Sequence, residues 1–305
     1  MSKIEIGILT NQPIPLHNFD FTSYYVKSCT GKINKAANNM INIISCFGDN
    51  RTARIQPEWV ADSKTGKAFR TNRCHHFLWD HICPNVEDYK TALLDLIKET
   101  SIAKVAGIHL DCIGFPEHEY CICKRCTKVR NESHLKWNEW RSKVVTDFVA
   151  EASKIVKENH KSFSVTLLPD PCFGKERYGE DFHSLAEYVD FFIIPIYDLV
   201  YSTTYWLEPL AYDFNKQLKK PLYIELYASD PGPKLKNLLS AMVAVSNYVD
   251  GIILATHDSR IAKQIKENLT NLEFIGLLER KHQAPRLHQK IQSWKNKKTN
   301  QKTKS

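Results

Sequence analysis

Two carboxylates stand within or directly behind short apolar runs of this sequence. Asp111 follows the run 105–110, and Glu225 lies inside the run 222–227. Burying a carboxylate without a partner costs on the order of several kcal/mol, so both positions need an explanation. Two facing carboxyl groups can cleave a glycosidic bond, because one protonates the leaving oxygen while the other attacks the anomeric carbon or activates water. We therefore predict Asp111 as the general acid/base and Glu225 as the nucleophile, and the two roles could be exchanged.

Other apolar runs also end on polar groups, at Asp170, at Tyr197 with Asp198, and at His257 with Asp258. Asp170 and Asp258 begin loops, where pairing with a basic residue or capping of the next helix is the simpler explanation. Aromatic rings near the same strand ends suit stacking against sugar faces, although ordinary packing explains any single ring equally well. The predicted sugar-binding residues are His109, Tyr197, Asp198, Trp206, Tyr227 and His257.

Three cysteines lie within six residues, at Cys121, Cys123 and Cys126. This spacing can wrap around a tetrahedral metal ion but gives poor disulfide geometry. A fourth ligand has to come from elsewhere, and we favour Cys83 because it would lie on the loop of the neighbouring strand. The other candidates are Cys74, Cys112 and His118. A site closed by four thiolates is structural, since no coordination position stays open, and three reduced cysteines without a metal are the alternative.

The elements that position these residues alternate between short apolar runs and amphipathic stretches. Strands are predicted over 3–9, 40–45, 105–111, 163–168, 191–197, 222–227 and 251–256. Helices are predicted over 85–99, 135–155, 182–189, 206–218 and 234–248, and from about residue 259. Nearly continuous apolar strands that alternate with helices are typical of a parallel sheet covered on both faces. Seven or eight such strands favour a (β/α)8 TIM-like barrel, complete or incomplete, whose active site lies at the C-terminal strand ends.

Two stretches resist this assignment. Residues 20–37 are ambiguous, and residues 50–82 are predicted to be mostly irregular. Before the helix that begins near residue 85, Asn85 is the predicted N-cap, with Glu87 and Asp88 in the first turn.

The net charge of +8 is concentrated at the C-terminal end of the 305 residues. Residues 1–279 hold 33 basic and 34 acidic side chains, whereas residues 280–305 hold nine basic side chains and no acidic one. We therefore predict one barrel domain over 1–279 and a basic, flexible tail over 280–305. The neutral body argues against nucleic acid as a partner, since a tail alone attracts it weakly and without specificity.

Composition and patterning point to a soluble cytoplasmic protein. The chain is 43% hydrophobic and 25% charged, as in ordinary globular proteins. Its N-terminal apolar stretch contains Glu5 and no small-residue cleavage site, so we expect no signal peptide. No uncharged run approaches the ~18 residues of a membrane helix. Nine cysteines in such a chain indicate thiols or thiolate ligands rather than disulfides, and homo-oligomer formation stays open.

The cysteine pattern has a parallel in a known enzyme family. Cys83-Pro84-Asn85 is followed by a predicted helix, by a strand that ends in a carboxylate, and by Cys121-Ile-Cys-Lys-Arg-Cys126. This order is similar to the zinc-binding arrangement of the family 42 β-galactosidases, where such segments supply four zinc ligands. The resemblance implies a structural zinc ion on Cys83, Cys121, Cys123 and Cys126.

A second pattern looks still more like the glycoside-hydrolase-like TIM-barrel families, whose motif resembles Asp-Gly-Ile-His-Leu-Asp-x-Ile-Arg-Tyr-Pro. Here the corresponding residues are Gly107-Ile-His-Leu-Asp111 with Phe115-Pro116, and Gln56-Pro57-Glu58-Trp59 lies upstream. The resemblance covers residues 50–130 well and 160–257 loosely. It implies a TIM barrel and action on a glycosidic bond of a carbohydrate.

The sequence departs from both patterns. The β-galactosidase acid/base is a Glu preceded by Asn, whereas this chain has Leu110-Asp111, and the second motif has Arg and Tyr where this chain has Gly114 and Phe115. Position rather than residue type therefore supports Asp111, and only its place on a late strand supports Glu225. The alternative functions are a catalytically inactive sugar-binding barrel and a zinc-stapled module that binds nucleic acid or protein through the basic tail.

Overall fold

Eight parallel strands close into a barrel in the computed structural model, which describes residues 4–256 and 259–269 and residues 278, 285 and 289. Numbered in chain order with a small hairpin, the strands are β1 (Glu5–Thr10), β2 (Phe21–Lys27), β3 (Ile41–Ser45), β4 (Asp62–Ser63), β5 (Gly66–Lys67), β6 (Gly107–Asp111), β7 (Ser162–Thr166), β8 (Phe191–Pro195), β9 (Leu222–Tyr227) and β10 (Gly251–Ala255). The barrel follows the order β1, β2, β3, β6, β7, β8, β9, β10, and β10 pairs with β1. The predicted TIM-like barrel is confirmed, and its sheet is complete.

Helices surround the barrel, as the alternating sequence pattern predicts. They are α1 (Asn50–Ile55), α2 (Glu87–Ile102), α3 (Lys124–Ser133), α4 (Trp137–Glu158), α5 (Gly174–Tyr178), α6 (Phe182–Leu185), α7 (Leu207–Gln217), α8 (Leu235–Ser246) and α9 (Ser259–Leu269). The long helix α4 shows why they pack where they do, because Val145, Phe148, Val149 and Ala152 recur at helical spacing and are buried.

Alternation along each strand produces two apolar layers. The layer inside the barrel consists of Leu9, Ile43, Ile193, Tyr223, Ile253 and Ala255, with Phe21, Tyr25 and Phe191 packed against it. The layer between barrel and helices takes Ile108 and Leu110 from β6. The other residues of that strand, His109 and Asp111, therefore face the barrel interior.

The ambiguous stretch 20–37 contains β2, which the sequence pattern did not resolve. Its sequence, Phe-Thr-Ser-Tyr-Tyr-Val-Lys, has a single aliphatic residue, Val26, and it buries the polar residues Thr22, Ser23 and Lys27. Pairing with β1 on one side and β3 on the other supplies the backbone hydrogen bonds that this weak pattern could not indicate.

The stretch 50–82 is mostly irregular, as predicted, and its regular elements are α1, a 3-10 turn at Pro57–Trp59 and the β4–β5 hairpin. Two other local expectations need correction. The N-cap of α2 is Val86, whereas Asn85 uses its side-chain amide to donate to the Cys126 sulfur at 3.2 Å. Helices α3 and α5 were not predicted. Glu87 and Asp88 do occupy the first turn of α2, as expected.

The predicted tail, 280–305, lies outside the described residues apart from Pro285 and Gln289. Within the described part of the chain, no helix combines the length and the apolar character that crossing a membrane requires.

A buried ion pair holds the loops near the C-terminal ends of β2 and β3. Lys27 Nζ lies 3.1 Å from Asp49 Oδ2, and each side chain is only 4% exposed. Lys27 also donates to the Ser45 carbonyl at 2.8 Å. Asp49 caps α1 by accepting from the Thr52 backbone N–H at 2.8 Å, and it accepts from the Tyr89 hydroxyl at 3.0 Å. One carboxylate thus joins β2, the loop after β3, α1 and α2.

Replacing Asp49 by alanine should lower the free energy of unfolding by about 3–5 kcal/mol, because it leaves the Lys27 ammonium group buried without its counter-charge. Urea unfolding followed by circular dichroism measures the loss. The control is Asp147→Ala, which removes an exposed partner of Lys143 at 2.9 Å and should cost less than about 1 kcal/mol. Equal losses in the two variants would contradict a structural role for the buried pair.

Candidate active site

The two predicted catalytic carboxylates lie at the C-terminal mouth of the barrel. Asp111 is the last residue of β6 and keeps partial solvent exposure, and Glu225 on β9 is 7% exposed. Asp111 accepts from its neighbour's backbone, Cys112 N–H, at 2.8 Å, and from the Tyr25 hydroxyl at 3.4 Å. The Tyr197 hydroxyl donates to Glu225 Oε1. Both carboxylates therefore accept hydrogen bonds from other strands and loops of the barrel mouth.

The electrostatics of the two carboxyl groups differ. Burial raises the pKa of Glu225 to about 7; the Tyr197 hydrogen bond opposes this rise and the charge of Asp111 adds to it. Burial also raises the pKa of Asp111, but hydrogen bonds from Cys112, Thr166 and Tyr25 act in the opposite direction. Asp111 has more donors than Glu225, so near neutral pH Asp111 is the better-stabilised anion and Glu225 can carry a proton.

His109 is connected to Asp111 by hydrogen bonds through Thr166. Its Nδ1 lies 2.9 Å from Ser164 Oγ and its Nε2 lies 2.7 Å from Thr166 Oγ1. Burial lowers the pKa of His109 to about 3, so the ring is neutral. Because the Thr166 hydroxyl has one proton and donates it to the Asp111 carboxylate, it accepts from Nε2–H, which leaves Nδ1 to accept from Ser164. The chain Ser164, His109, Thr166 and Asp111 thus links β7 to β6 inside the barrel.

The other predicted sugar-binding residues occupy different surroundings. Tyr197 is 50% exposed, and its ring centre lies 5.8 Å from that of Tyr227 at the end of β9. Asp198 turns to its own loop and accepts from the Val200 backbone N–H at 2.8 Å. Trp206 packs against the apolar layer between barrel and helices. The structure therefore brings Tyr197 and Tyr227 to the carboxylates.

His257 lies outside the described residues. The sugar-binding roles of all six residues stay predictions.

Three residues of the mouth were not predicted as site residues from the sequence, namely Tyr25, Thr166 and Glu180. Tyr25 lies on the unrecognised strand β2, whereas Ser164 and Thr166 at alternate positions of β7 were a usable signal of polar groups that face inward. Glu180, in the loop after α5, is 2% exposed, and its Oε2 accepts from the Leu168 backbone N–H at 3.0 Å. Burial raises its pKa to about 8, and the charges of Asp111 and Asp170 contribute.

The simpler explanation for Asp170 is confirmed. Its Oδ2 lies 2.8 Å from Arg177 Nη1, and its Oδ1 accepts from the Phe173 backbone N–H at 2.9 Å. Asp258 lies outside the described residues.

The four cysteines Cys83, Cys121, Cys123 and Cys126 form one cluster whose sulfur atoms all lie within 4.8 Å of one another. The Cys83 sulfur is 3.3 Å from that of Cys126 and 3.8 Å from that of Cys123. Sulfur atoms around tetrahedral zinc, at bonds of about 2.3 Å, are separated by nearly 4 Å, so the set fits such an ion. The Asp62 backbone N–H and the Asn85 amide donate to cluster sulfurs, as donors around metal thiolates do.

Among the described residues, neither Cys74 nor His118 joins this cluster. Cys112 belongs instead to a second group, with Cys29 and Asp111, whose ligand atoms also lie within 4.8 Å of one another. The sulfur atoms of Cys29 and Cys112 are 3.6 Å apart. The cysteine neighbouring Asp111 is therefore separate from the four-cysteine cluster.

The sequence matches the model of one protein family. The model of the DUF4015 family, described as "Putative glycosyl hydrolase domain", matches residues 14–231. No curated protein gives a significant match. These comparisons do not support the resemblance between the cysteine arrangement and the zinc site of the family 42 β-galactosidases.

Two solved structures share the barrel fold. An α-L-fucosidase isoenzyme 2 from Paenibacillus thiaminolyticus superposes with a TM-score of 0.56 at 10% identity, over 91% of this chain and 48% of that one. A chitinase from Chromobacterium violaceum superposes with a TM-score of 0.50 at 11% identity, over 88% of this chain and 99% of that one. This chain thus spans about half the length of the fucosidase. At such identities the likeness shows the fold alone.

The raised pKa of Glu180 predicts that stability depends on pH. A carboxyl group whose pKa is raised by folding stabilises the protein fully below its unfolded pKa of about 4.3, and this contribution is lost as the pH rises toward the folded value. For Glu180 that window ends near pH 8. Glu180→Gln keeps an acceptor for Leu168 and cannot ionise, so it should retain more stability than the parent between pH 5 and pH 8, on the order of a few kcal/mol.

Urea unfolding at the two pH values measures this difference. Glu176→Gln, a change of the same type at an exposed position of α5, should leave the pH dependence of the parent unaltered. An identical pH dependence in the Glu180→Gln variant and the parent would contradict the assignment.

Proposed function

Since the chain belongs to the DUF4015 glycosyl hydrolase family, we propose that it hydrolyses a glycosidic bond of a carbohydrate at the barrel mouth, with Asp111 and Glu225 as the catalytic pair. The observation that carries the proposal is a pair of carboxyl groups at one end of the barrel, in which burial, with a contribution from the charge of Asp111, raises the pKa of Glu225 to about 7. Such a pair supplies a proton donor and an anion at the same pH.

The hydrogen bonding supports one division of roles. Glu225, with its pKa raised to about 7, donates its proton to the leaving glycosidic oxygen. Asp111, stabilised as an anion by Cys112, Thr166 and Tyr25, attacks the anomeric carbon or activates water. This division is the opposite of the one predicted from strand position, in which Asp111 is the general acid/base and Glu225 the nucleophile. His109 is a positioning residue in this scheme, because it acts on Asp111 through Thr166.

The aromatic residues at the mouth supply a surface for the sugar. Tyr197 and Tyr227 present neighbouring rings beside Glu225, and ring faces of this kind pack against the apolar faces of sugars. In addition, the Tyr197 hydroxyl holds Glu225 directly. We propose that Tyr197 both contacts the substrate and tunes the acid.

We further propose that the four-cysteine cluster binds structural zinc. Four thiolates leave no coordination position open, so the metal would supply no step of the reaction and would instead cross-link the chain. Cys83 precedes α2, Cys121 and Cys123 lie between β6 and α3, and Cys126 lies in the first turn of α3. The cross-link would thus anchor the loop that begins directly after Asp111.

Glu225→Gln and Asp111→Asn should each lower kcat at least about 100-fold on whichever aryl-glycoside or oligosaccharide the parent cleaves, because each removes one proton-transfer or nucleophilic group. In the parent, kcat/KM should fall as the pH rises through about 7, since Glu225 must be protonated. Tyr197→Phe removes a hydrogen bond that lowers the pKa of Glu225, so it should move this alkaline limb to higher pH.

Asp147→Asn, an exposed change on α4, serves as the control and should leave both rate and pH profile unaltered. Unchanged turnover in Glu225→Gln or Asp111→Asn would refute the assignment. A folded parent that binds sugars but cleaves none would favour the inactive sugar-binding barrel.

Metal analysis tests the zinc site. The purified chain should hold about one zinc ion, and Cys83→Ser should lose it together with part of its thermal stability, because a closed site needs all four thiolates. Cys74→Ser, at an exposed cysteine outside the cluster, should retain both. Equal zinc content in the two variants would mean that the cluster is not the metal site.

A further inference from the structure

A cleft of about 790 Å³ opens beside the barrel mouth, and it has no part in the reaction described above. Its volume lies within the range of about 300–1,000 Å³ that is usual for ligand pockets. Three segments build it, namely the β2–β3 loop, helix α1 and the loop 69–80. The lining residues are Thr30, Gly31, Lys32, Asn50, Arg51, Arg54, Phe69, Arg70, Thr71 and Asp80.

The charge of this cleft is strongly positive. Four lining residues are basic, whereas Asp80 is the acidic one. Asp80 is already engaged, because its Oδ1 lies 3.4 Å from Arg70 Nε and accepts from the Arg70 backbone N–H at 2.7 Å. Within the ranges that the structure describes, no ion pair joins Lys32, Arg51 or Arg54 to a carboxylate. Three cationic groups are thus left for a ligand.

This concentration of charge is local. Residues 1–279 as a whole are nearly neutral, and the basic tail belongs to the other end of the chain. The three cations come from separate segments that the fold brings together: Lys32 from the β2–β3 loop, and Arg51 and Arg54 from α1. Concave basic surfaces focus the field and attract anions.

Short contacts connect the cleft to Asp111. The Asn50 backbone N–H donates to the Cys29 carbonyl at 2.8 Å, and the Cys29 sulfur lies 3.6 Å from that of Cys112, the residue that follows Asp111. Thr30, the next residue after Cys29, lines the cleft. The segments that line the cleft are therefore packed directly against the segment that carries Asp111.

We propose that the cleft binds the anionic groups of an acidic saccharide, so that the substrate class is a negatively charged glycan. This proposal rests on the proposed glycosidase function, because the saccharide would extend from the cleft to Asp111 and Glu225. Arg51 and Arg54 present planar guanidinium groups, which match carboxylate or sulfate oxygens in pairs, and Lys32 adds a point charge.

A nucleic acid is the less suitable occupant. Proteins that hold single strands line their grooves with several aromatic rings for the bases, whereas here Phe69 is the one aromatic lining residue. That ring also packs against the apolar layer between barrel and helices. A saccharide with spaced charges needs no such series of rings.

Calorimetric titration of the full chain tests the proposal with four probes of similar length: an oligogalacturonate, a chondroitin sulfate oligosaccharide, neutral cello-oligosaccharide and oligothymidylate. One of the two acidic saccharides should bind at least about 10-fold more tightly than the neutral one at low salt, and the preference should shrink as salt rises. The first two probes distinguish carboxylate from sulfate recognition.

The double variant Arg51→Gln/Arg54→Gln should lose at least about 10-fold in affinity for that acidic probe and keep its weak affinity for the neutral one. The matched control, Lys154→Gln/Lys157→Gln, removes the same charge from exposed positions of α4 and should bind like the parent. Circular dichroism and thermal unfolding of both variants verify that they fold.

Equal affinity for acidic and neutral saccharides, an equal loss in the control variant, or tighter binding of oligothymidylate would overturn the proposal. Cleavage of neutral glycosides without binding of acidic ones would refute the cleft and leave the glycosidase function intact. Binding of an acidic saccharide in the cleft without cleavage would support the cleft as a binding site and refute the glycosidase function.

Discussion

The site depends on one constraint, the burial of two carboxyl groups at the same end of a closed parallel barrel. Parallel pairing all the way round brings every C-terminal strand end to one mouth, so Asp111 on β6 and Glu225 on β9 lie at the same end of the barrel although 113 residues of chain run between them. In this poorly solvated space each charge is costly. The protein meets that cost with donors at Asp111 and with a raised pKa at Glu225.

The surrounding structure keeps this arrangement rigid. Inside the barrel, Ser164 and Thr166 form hydrogen bonds with the neutral His109 ring. Thr166 also forms a hydrogen bond with Asp111 and so restrains that carboxylate. Outside it, the buried Lys27–Asp49 pair joins β2 to the loop after β3. The four-cysteine cluster brings the segment that follows β6 into contact with Cys83, ahead of α2. These groups have little in common chemically, but each restrains a segment that ends at the mouth.

The sequence allowed the barrel, most of its strands and the four-cysteine cluster to be predicted, because apolar strands and closely spaced cysteines are local signals. Strand β2 was not predictable in this way, since its polar and aromatic residues become strand only through pairing with β1 and β3. Glu180 lies in a loop, and its burial results from contacts distant in sequence. Asn85 shows a third limit: its predicted capping role is replaced by a hydrogen bond to a sulfur 41 residues away.

The most direct test is the titration of Glu225 itself, followed by NMR through the side-chain carboxyl carbon in the parent and in Asp111→Asn. Burial predicts a midpoint near pH 7 for Glu225 in the parent, and the additional effect of the Asp111 charge predicts a lower midpoint once that charge is removed. A midpoint near 4.3, about that of an unperturbed glutamate, would contradict the account, as would a midpoint that Asp111→Asn leaves unchanged.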